Sequence, residues 1–372
     1  MARLLITGGA GFIGANFVHY WCEHHPRDRL VVLDALTYSG NPANLESVQG
    51  CTQLSFIHGD ICNTALVENL LRNERLDTIV HFAAESHVDR SIDDPDVFVQ
   101  TNVVGTHSLL RAARAVWLDK GHLDRHRFHH ISTDEVYGSL GIDDPAFTEA
   151  TPHAPNSPYA ASKAAADHLV RAYHRTYGLR TTTSNCANNY GRFHFPEKLI
   201  PLVITNILQG KSLPIYGDGL NIRDWLHVLD HCRGIEAILA QDVPGEVYNV
   251  GGGSECTNLQ LVDMLCAIAD ELFGAQPQLR SRYPACPASR GLRTATLLGF
   301  VRDRPGHDRR YATDSSKIAT QLGFRPSVPL QAGLRDTFQW YLDNEVWWRN
   351  VLDGRYRDRS AAERLPALAL RQ

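Results

Sequence analysis

Long hydrophobic runs, paired cysteines and a large net charge are all missing from this chain of 372 residues. No apolar run approaches the roughly 18 residues that a membrane-spanning helix needs. A net charge of −4 gives no electrostatic reason to expect nucleic acid or an anionic membrane as a partner. The chain enters a glycine-rich turn too early for a secretory signal peptide. We therefore expect a globular protein of the cytoplasm.

The cysteines and histidines show no metal-binding pattern. Eight cysteines are scattered along the chain without a Cys-x-x-Cys pair, and none stands at metal-ligand spacing from a histidine. The adjacent pairs His24-His25 and His129-His130 would point to opposite faces of a strand, so neither makes a natural chelate. We expect reduced, mostly buried thiols and no metal.

Short apolar runs alternate with helical patterns over residues 1–190. This alternation is typical of a parallel sheet that helices cover on both faces. The predicted strands are 3–7, 30–34, 54–58, 78–82, 128–132 and 180–186, and the predicted helices are 12–23, 63–74, 97–116 and 159–177. The predicted fold class is α/β, with a Rossmann-type doubly wound parallel sheet.

Beyond Tyr190 the chain breaks into short pieces separated by prolines and paired glycines. We expect residues 191–350 to form a smaller mixed α/β substrate lobe, interleaved with a dinucleotide-binding domain of residues 1–190. Residues 351–372 are expected to be a tail without an identifiable anchor from about 355, a candidate for disorder. Helices are predicted at 197–209, 229–239, 258–272, 315–321 and 330–343, and a loop rich in arginine and proline at 280–298.

A glycine-rich turn lies between the first predicted strand and the first predicted helix. Gly9, Gly11 and Gly14 satisfy G-x-G-x-x-G, and Gly8, Gly11 and Gly14 give the related G-x-x-G-x-x-G. Glycine permits a tight turn and a close backbone approach to a pyrophosphate. The free N–H groups and the dipole at the start of the helix stabilise that anion. The context predicts a dinucleotide site.

The residues after the second and third predicted strands extend this site. Asp34 ends the second strand, 20 residues after Gly14. A carboxylate there can bind both ribose hydroxyls and would repel a 2′-phosphate, so we expect NAD rather than NADP. The alternative is an Asp34 that only caps the turn before Leu36. Asp60 and Ile61 can hold the adenine, although Asp60 can equally cap a helix.

Polar residues that are costly to bury follow the fifth predicted strand. They are Thr133, Asp134 and Glu135, and Tyr159 and Lys163 come later at positions i and i+4 of a predicted helix, hence on one face. A nearby ammonium lowers the pKa of a tyrosine, which then serves as a base for a sugar hydroxyl while a hydride leaves the same carbon. The alternatives are two acids that cap a strand end and a surface pair on a helix.

Eight short strings together resemble the extended short-chain dehydrogenase/reductase family and, within it, the dTDP-glucose 4,6-dehydratases. The glycine turn and Tyr-x-x-x-Lys are common to the superfamily, whereas epimerases of the same family lack the paired acids. The strings are TGGAGFIG (7–14), AAESHVDRS (83–91), STDEVYG (132–138), YAASK (159–163), NNYG (188–191), PEKLIP (196–201), RDW (223–225) and DRPGHD (303–308).

The resemblance implies an NAD-dependent lyase of deoxysugar biosynthesis that converts dTDP-glucose to a 4-keto-6-deoxy sugar. Tyr159 would take the 4-OH proton while C4 loses a hydride, with Thr133 holding O4 and Lys163 beside the tyrosine. Water would then leave across C5–C6, with Glu135 as the base and Asp134 as the acid, before the hydride returns to C6. Two carboxyls in opposite protonation states suit such a step.

The resemblance also implies the residues that bind the two ligands. Arg223 would clamp the diphosphate with its planar guanidinium. Pro214 and Tyr216 would lie beside the base, and the motif of Asp303 and His307 would close over the nucleotide end. Cofactor binding is expected from Gly8, Gly11, Phe12, Ile13, Gly14, Asp34, Leu36, Thr37, Asp60, Ile61, Phe82, Ala83, Ala84, Ser86, Thr101, Tyr159, Lys163 and Asn189. Substrate binding is expected from Ser86, His87, Thr133, Asn188, Glu197, Lys198, Leu199, Pro214, Tyr216, Arg223, Asn258, Asp303 and His307.

Two departures from the family pattern leave the nucleotide preference open. Arg192-Phe193 stands where proline and an aromatic residue are expected, which loosens the turn and adds a charge near the substrate loop, and 280–298 is longer and more basic. The alternatives are another UDP- or GDP-sugar dehydratase, a 4-epimerase or decarboxylase of a UDP-sugar, and a non-catalytic NAD-binding regulator. By resemblance alone we expect a homodimer that pairs through 97–116 and 159–177.

Overall fold

The computed structural model describes residues 1–119, 126–241 and 243–357. The strands are β1 (Arg3–Thr7), β2 (Arg29–Asp34), β3 (Leu54–His58), β4 (Thr78–His81), β5 (Arg127–Thr133), β6 (Thr181–Cys186), β7 (Asn188–Tyr190), β8 (Leu213–Tyr216), β9 (Ile222–His227), β10 (Val247–Val250), β11 (Glu255–Thr257) and β12 (Leu298–Val301). The helices are α1 (Phe12–His24), α2 (Thr64–Asn73), α3 (Val88–Asp93), α4 (Asp96–Phe98), α5 (Thr106–Ala113), α6 (Pro158–Tyr177), α7 (Leu199–Gln209), α8 (Val228–Gln241), α9 (Asn258–Ala275), α10 (Gln278–Arg282), α11 (Ser316–Leu322), α12 (Leu330–Asp343) and α13 (Glu345–Leu352).

Seven parallel strands form the central sheet in the order β10-β6-β5-β4-β1-β2-β3. Successive side chains of a strand point to opposite faces, so a strand that is covered on both sides must be apolar throughout. In β1, Leu4 and Ile6 belong to one buried cluster and Leu5 to another. The prediction of a doubly wound α/β sheet is confirmed.

The second half of the chain contributes to both parts of the molecule. β10 joins the central sheet beside β6, although it follows the predicted substrate lobe's first helices. The remaining strands form the sheet β11-β9-β7 and the parallel pair β12-β8. A separate core around Ile204, Leu265, Phe338 and Trp348 holds these elements together. Within the described ranges, no helix is both long and apolar enough to cross a bilayer.

Two segments differ from the sequence prediction. Residues 280–298 are not simply a loop, because α10 and two 3₁₀ turns interrupt them. Leu279, Tyr283 and Cys286 are buried there and tie the segment to the core. The helix predicted at 97–116 is continuous from Asp96 to Leu118, but two stretches of it are π-helical.

The start of the predicted tail has an anchor. α13 ends at Leu352, and a 3₁₀ turn follows at Arg355–Arg357. The Tyr356 hydroxyl donates to the Tyr38 carbonyl, and the Tyr356 ring meets the Phe195 ring edge-on at 5.6 Å. The expectation of a tail without contacts is therefore wrong for 355–357. Residues 358–372 lie outside the described residues.

Candidate active site

The glycine turn lies at the carboxyl edge of the central sheet, where ligands bind in this fold. It joins the end of β1 to the start of α1. Gly8 has φ +70°, and a Cβ on it would lie 2.6 Å from Ala83 N. A Cβ on Gly14 would clash with Gly8 O, whereas one on Gly11 would meet that oxygen alone, at 3.3 Å. Gly8 and Gly14 let the turn close on the sheet and the helix, while Gly11 keeps the cleft side clear for a pyrophosphate.

Asp34 connects the turn after β2 to the glycine turn. Its carboxylate accepts hydrogen bonds from Ala10 N at 2.9 Å and from Leu36 N at 2.8 Å. Burial raises the pKa of this carboxyl, and the two amide donors oppose the rise. Asp34 also lines the cleft, and carboxylate oxygens accept more than one hydrogen bond. It therefore caps the turn before Leu36 and can still receive a ribose hydroxyl.

A cleft of about 350 Å³ brings most of the predicted residues together. All the predicted cofactor residues line it except Leu36, which has φ 51° and lines a neighbouring cavity of about 290 Å³ beside Tyr356. Asp134 is the one predicted catalytic residue outside the cleft lining. The other catalytic and substrate residues in the lining are Thr133, Glu135, Tyr159, Lys163, Ser86, Asn188, Glu197, Lys198 and Leu199.

The two adjacent acids lie on a 3₁₀ turn directly after β5. Thr133 Oγ1 accepts from Glu135 N at 3.3 Å, which fixes the turn. Asp134 is 1% exposed, and its carboxyl lies 3.3 Å from the Thr313 hydroxyl and 3.4 Å from the Thr133 hydroxyl, both of which donate to it. Burial and, next, the charge of Glu135 raise the pKa of Asp134 to about 8. Asp134 is thus mainly protonated at neutral pH.

Glu135 differs from its neighbour because it faces the cleft among cations. Burial raises the pKa of Glu135, while the charges of Arg304, Arg223 and Lys198 oppose that rise. The cations stabilise a carboxylate at the position of Glu135, and burial favours the neutral acid at Asp134. One turn therefore presents a candidate base and a candidate acid.

Tyr159 and Lys163 lie one turn apart on α6, and both line the cleft. Lys163 Nζ donates to Ile131 O at 2.7 Å, and burial lowers the pKa of Lys163 to about 8. Burial and, next, the charge of Glu135 hold the pKa of Tyr159 well above its ordinary value, opposed by a hydrogen bond with Thr133. The prediction that the pKa of Tyr159 is lowered toward working pH is therefore wrong. The prediction considered only the ammonium of Lys163, whereas burial of the phenol has the largest effect on the pKa of Tyr159.

Two cations stand on the substrate side in largely buried positions. Lys198 directly precedes α7, and its Nζ donates to Ser86 O at 2.7 Å. Arg223 on β9 is 6% exposed, donates to Asp308 O at 3.0 Å and lies 4.2 Å from the centroid of the Tyr311 ring. Burial lowers the pKa of both side chains. Cations that are held in place in this way suit an anionic ligand such as a diphosphate.

His87 lies at the edge of this side of the site. Its Nε2 is 3.8 Å from Glu197 Oε2, and Glu197 lines the cleft. Burial lowers the pKa of His87 to about 4, so the imidazole is neutral near pH 7. As a neutral ring, His87 offers a hydrogen bond to a ligand rather than a charge.

The residues predicted at the nucleotide end form a second group outside the cleft lining. Pro214 and Tyr216 lie on β8, which pairs with β12. The Tyr216 ring is 6.3 Å from the His307 ring, and His307 Nδ1 is 2.6 Å from Asp303 Oδ1. Asn258 begins α9, and its buried Oδ1 has no hydrogen-bond partner in the described part of the chain. The structure therefore gathers these residues around β8 and the start of α9.

The structure corrects two smaller expectations. Arg192 does not present its charge to the cleft, because its Nε donates to Asn16 Oδ1 at 2.8 Å. Its neighbour Phe193 stands where the aromatic residue is expected and takes a left-handed φ of 64°. Asp60 does not cap α2, since Asn63 does so; Asp60 instead accepts from Cys62 N at 2.8 Å within the turn after β3.

Several residues of the site were not identified from the sequence. Arg304 acts on Glu135 and pairs with Asp89 at 3.0 Å. It belongs to the DRPGHD string, so the segment was recognised but this side chain was not. Spacing gives no signal for the cleft's other rings, because they come from loops and from β9. These residues are Tyr38, His194, Phe195 and Trp225.

Comparisons with known proteins agree with this geometry. A family model described as GDP-mannose 4,6 dehydratase matches residues 5–337. A dTDP-glucose 4,6-dehydratase of Neisseria meningitidis is 51% identical over 359 residues, which cover 96% of this chain and 98% of that protein. The crystal structure of DesIV, a dTDP-glucose 4,6-dehydratase from Streptomyces venezuelae with NAD bound, is similar with a TM-score of 0.82 and 47% identity, and covers 94% of this chain and 99% of that one.

A more distant similarity separates the fold from the chemistry. A UDP-glucuronic acid 4-epimerase from Bacillus cereus superposes with a TM-score of 0.78 but only 27% identity, over 92% of this chain and 99% of that one. Dehydratases and epimerases thus share the architecture, and the higher identity is with the dehydratases. The chain belongs to the dTDP-glucose 4,6-dehydratase family, within the extended short-chain dehydrogenases/reductases.

Proposed function

We propose that the protein converts dTDP-glucose to dTDP-4-keto-6-deoxyglucose and water in an NAD-dependent reaction of deoxysugar biosynthesis. The observation that carries this proposal is the pair of adjacent acids at the end of β5. Asp134 is buried and protonated, while Glu135 faces the cleft that Tyr159 and Lys163 line. The names of the relatives, and the NAD bound in DesIV, support the same conclusion.

The residues around the glycine turn fit NAD. Gly11 has no side chain, which leaves space on the cleft side of the turn. Asp34 presents a carboxylate that would repel a 2′-phosphate. When bound, NAD accepts a hydride from C4 of the sugar and returns it to C6. Thr37, Ile61 and Thr101 line the same cleft and would complete the site.

In the first step, Tyr159 takes the proton of the sugar 4-hydroxyl. Because the pKa of Tyr159 is high, the phenol must lose its own proton before or during this transfer. Lys163, whose pKa of about 8 lies close to working pH, supplies the nearby positive charge. Thr133 holds O4, because its hydroxyl is hydrogen-bonded to the Tyr159 phenol at the strand end.

In the second step, Glu135 removes the C5 proton, which the new C4 ketone has made acidic. Asp134 gives its proton to the 6-hydroxyl as the C6–O bond breaks, so that water leaves. Asp134 lies outside the cleft lining and directly behind Thr133, whose hydroxyl donates to its Oδ1 at 3.4 Å, so the Thr133 hydroxyl links this carboxyl to the cleft. Glu135 then returns its proton to C5 when the hydride comes back to C6.

The remaining predicted residues hold the nucleotide sugar. We assign the diphosphate to Arg223, Lys198 and the Asn188 side of the cleft, because these cations are buried and fixed by backbone carbonyls. Tyr216 and Pro214 would contact the base from β8, with His307 and Asp303 closing over it. This arrangement supports residues 191–350 as a substrate lobe that is interleaved with the cofactor domain of residues 1–190.

A 4-epimerase of a UDP-sugar is the main alternative. Epimerisation needs oxidation and reduction at C4 but no proton removal at C5 and no acid for a leaving hydroxyl. An epimerase would therefore have no catalytic role for Asp134 and Glu135. Burial of two adjacent carboxyls is unfavourable, and it would then have no functional explanation. A non-catalytic NAD-binding protein would leave Tyr159, Lys163 and Thr133 unexplained as well.

One experiment separates these functions. The protein is incubated with NAD and with dTDP-glucose, UDP-glucose or GDP-mannose. The masses of the sugar nucleotides are then measured by mass spectrometry. We expect loss of one water from dTDP-glucose. A product of unchanged mass but with a different NMR spectrum from the substrate would indicate an epimerase, and the absence of any product would contradict the proposal.

We also propose a homodimer that works in the cytoplasm. Val97, Val99 and Val104 are 37%, 50% and 42% exposed on the helical stretch that precedes α5, and Tyr177 is 42% exposed at the end of α6. Apolar exposure on two adjacent helices suits a helical interface between two copies. All eight cysteine thiols are free, which suits a reducing compartment. Light scattering of the purified protein and of Val99→Asp tests the dimer.

A further inference from the structure

The steps of the proposed function, on which this inference rests, leave the enzyme with an uneven distribution of protons. Glu135 takes a proton from C5 and gives it back. Tyr159 gains the O4 proton and keeps it, while Asp134 loses a proton to the departing water. After each turnover Tyr159 therefore holds one proton too many and Asp134 one too few. A proton must leave the side of Tyr159 before the next cycle.

A buried carboxyl lies directly behind the catalytic lysine. Asp167 follows Lys163 by one turn of α6 and is 8% exposed. The Ser132 hydroxyl donates to Asp167 Oδ2 at 2.9 Å. Asp167 Oδ1 lies 3.2 Å from His130 Nε2, which in turn lies 3.5 Å from Lys163 Nζ. The lysine, the imidazole and the carboxyl thus form a continuous polar contact under the cleft.

Two histidines lie close enough to Asp167 to act on it electrostatically. The His153 ring lies 5.0 Å from the ring of His168, which is exposed. His153 and Asp167 attract each other electrostatically. Within the described ranges, the buried His153 Nδ1 has no hydrogen-bond partner, and the polar neighbour of Asp167 Oδ1 is His130 Nε2, an ion-pair contact at 3.2 Å. Buried polar atoms of this kind usually bind water, which here would complete a chain of hydrogen bonds.

We propose that Asp167 carries the proton that Tyr159 releases through Lys163 outward to solvent, by way of His153 and His168. The proton passes from the lysine ammonium to the Asp167 carboxylate and then to an imidazole nitrogen, so no bond of the substrate is involved. Asp134 recovers its proton from solvent separately. Asp167 touches no reacting atom and acts as a positioning and exchange residue.

Titratable groups face Asp167 from each element packed against it. Lys163 and His168 lie on its own helix, His130 on β5, His153 on the loop before α6, and Tyr137 on the 3₁₀ turn after β5.

Burial raises the pKa of Asp167 to about 6, and burial lowers that of Lys163 to about 8. Proton affinities this close allow transfer in both directions near neutral pH. His130 stays neutral, because burial holds its pKa well below 6.5.

The test compares Asp167→Asn with the wild-type enzyme. Asparagine keeps the size of the side chain and can accept the Ser132 hydrogen bond, but it cannot carry the proton. We expect kcat to fall about tenfold or more with KM little changed, because a proton-transfer step becomes limiting. The solvent deuterium isotope effect on kcat should rise, and the rate should increase with imidazole buffer concentration. The wild-type rate should not depend on that concentration.

Two further variants test the proton path and control for nonspecific effects of mutation on α6. His153→Gln should show a smaller loss, of about threefold, with the same buffer dependence. Arg171→Gln, an exposed change on α6 beyond the path, should behave like the wild type. If Asp167→Asn and His153→Gln keep the wild-type isotope effect and gain no buffer dependence, Asp167 is structural and the inference is wrong. If Asp167→Asn does not fold, His153→Gln alone decides. A wild-type enzyme that forms no 4-keto product contradicts the proposed function instead.

Discussion

The cofactor side and the nucleotide side of this site are built in different ways. On the cofactor side, Asp34 and Thr133 end β2 and β5, and Gly14 lies at the start of the helix after β1; these strands belong to one parallel sheet, whose carboxyl ends meet at one edge. On the nucleotide side, Tyr216 and His307 come from a two-stranded sheet and a loop outside the cleft lining. In a regular sheet, the strand order and direction determine which residues far apart in sequence lie close together. In loops, the positions of residues depend on individual contacts. The comparison predicts that changes on the cofactor side reduce catalysis, and that changes on the nucleotide side mainly weaken binding.

The largest effect should come from the acids at the end of β5. Glu135→Gln removes the base for C5–H, and Asp134→Asn removes the acid for the 6-hydroxyl. We expect dehydration to fall by about 10² to 10⁴ in each variant, the range of general acid–base catalysis. Reduction of bound NAD on addition of dTDP-glucose should persist, because oxidation at C4 needs neither acid. Product mass and nicotinamide absorbance measure the two steps separately.

Tyr159→Phe is the matched control for this pair. It should abolish the absorbance change together with the product, since the base for the 4-hydroxyl is gone. Full dehydratase turnover in Glu135→Gln or Asp134→Asn would show that the assigned residue is not the proton carrier. It would also remove the observation that separates a dehydratase from an epimerase.

A second effect should distinguish two glycines of the cofactor side. In Gly14→Ala the new Cβ clashes with Gly8 O, so α1 must shift away from the turn. We expect a loss of about 1–3 kcal/mol in the free energy of unfolding, typical of overpacking, and at least tenfold weaker NAD binding. In Gly11→Ala the Cβ meets only Gly8 O, at 3.3 Å, a contact that a small shift relieves, so NAD binding should weaken with a smaller loss of stability than in Gly14→Ala. Thermal unfolding and the NAD content of the purified variants measure both. An equal loss of stability in the two variants would contradict the geometry of the turn.

The same comparison shows how much of the site the sequence could predict. Strand, glycine turn and helix follow one another in a fixed geometry, so Asp34 could be placed from its distance to Gly14. The environment of a side chain, by contrast, could not be predicted from sequence spacing. The raised pKa of Tyr159 comes from burial, and the separation of Asp134 from the cleft depends on which way a 3₁₀ turn faces. Arg304 reaches Glu135 from a loop, and no periodicity links the two residues.

A pH profile tests the protonation state of Asp134. The reaction needs the protonated acid, whose pKa is about 8. At higher pH the fraction of protonated Asp134 falls, so kcat should decrease above pH 8, approaching a tenfold loss for each further pH unit. Lys163 has a similar pKa, so its deprotonation would fall in the same pH range. The variant Thr313→Val distinguishes the titration of Asp134 from that of Lys163. The Thr313 hydroxyl donates to the Asp134 carboxylate and lowers its pKa, so its loss should move the decrease to higher pH by up to about one unit. An unchanged profile would assign the decrease to Lys163.

The smallest effect should come from the nucleotide side, where Tyr216 meets His307 ring to ring. Tyr216→Ala removes the aromatic surface proposed for the base but touches neither the cleft nor the acids. Since an aromatic contact contributes about 1 kcal/mol, we expect KM for dTDP-glucose to rise about fivefold with kcat nearly unchanged. Tyr216→Phe keeps the ring and should remain near the wild type. Steady-state kinetics with dTDP-glucose measures both variants. A fall in kcat as large as that of the acid variants would show that β8 acts on catalysis, and the distinction between the two sides would then fail.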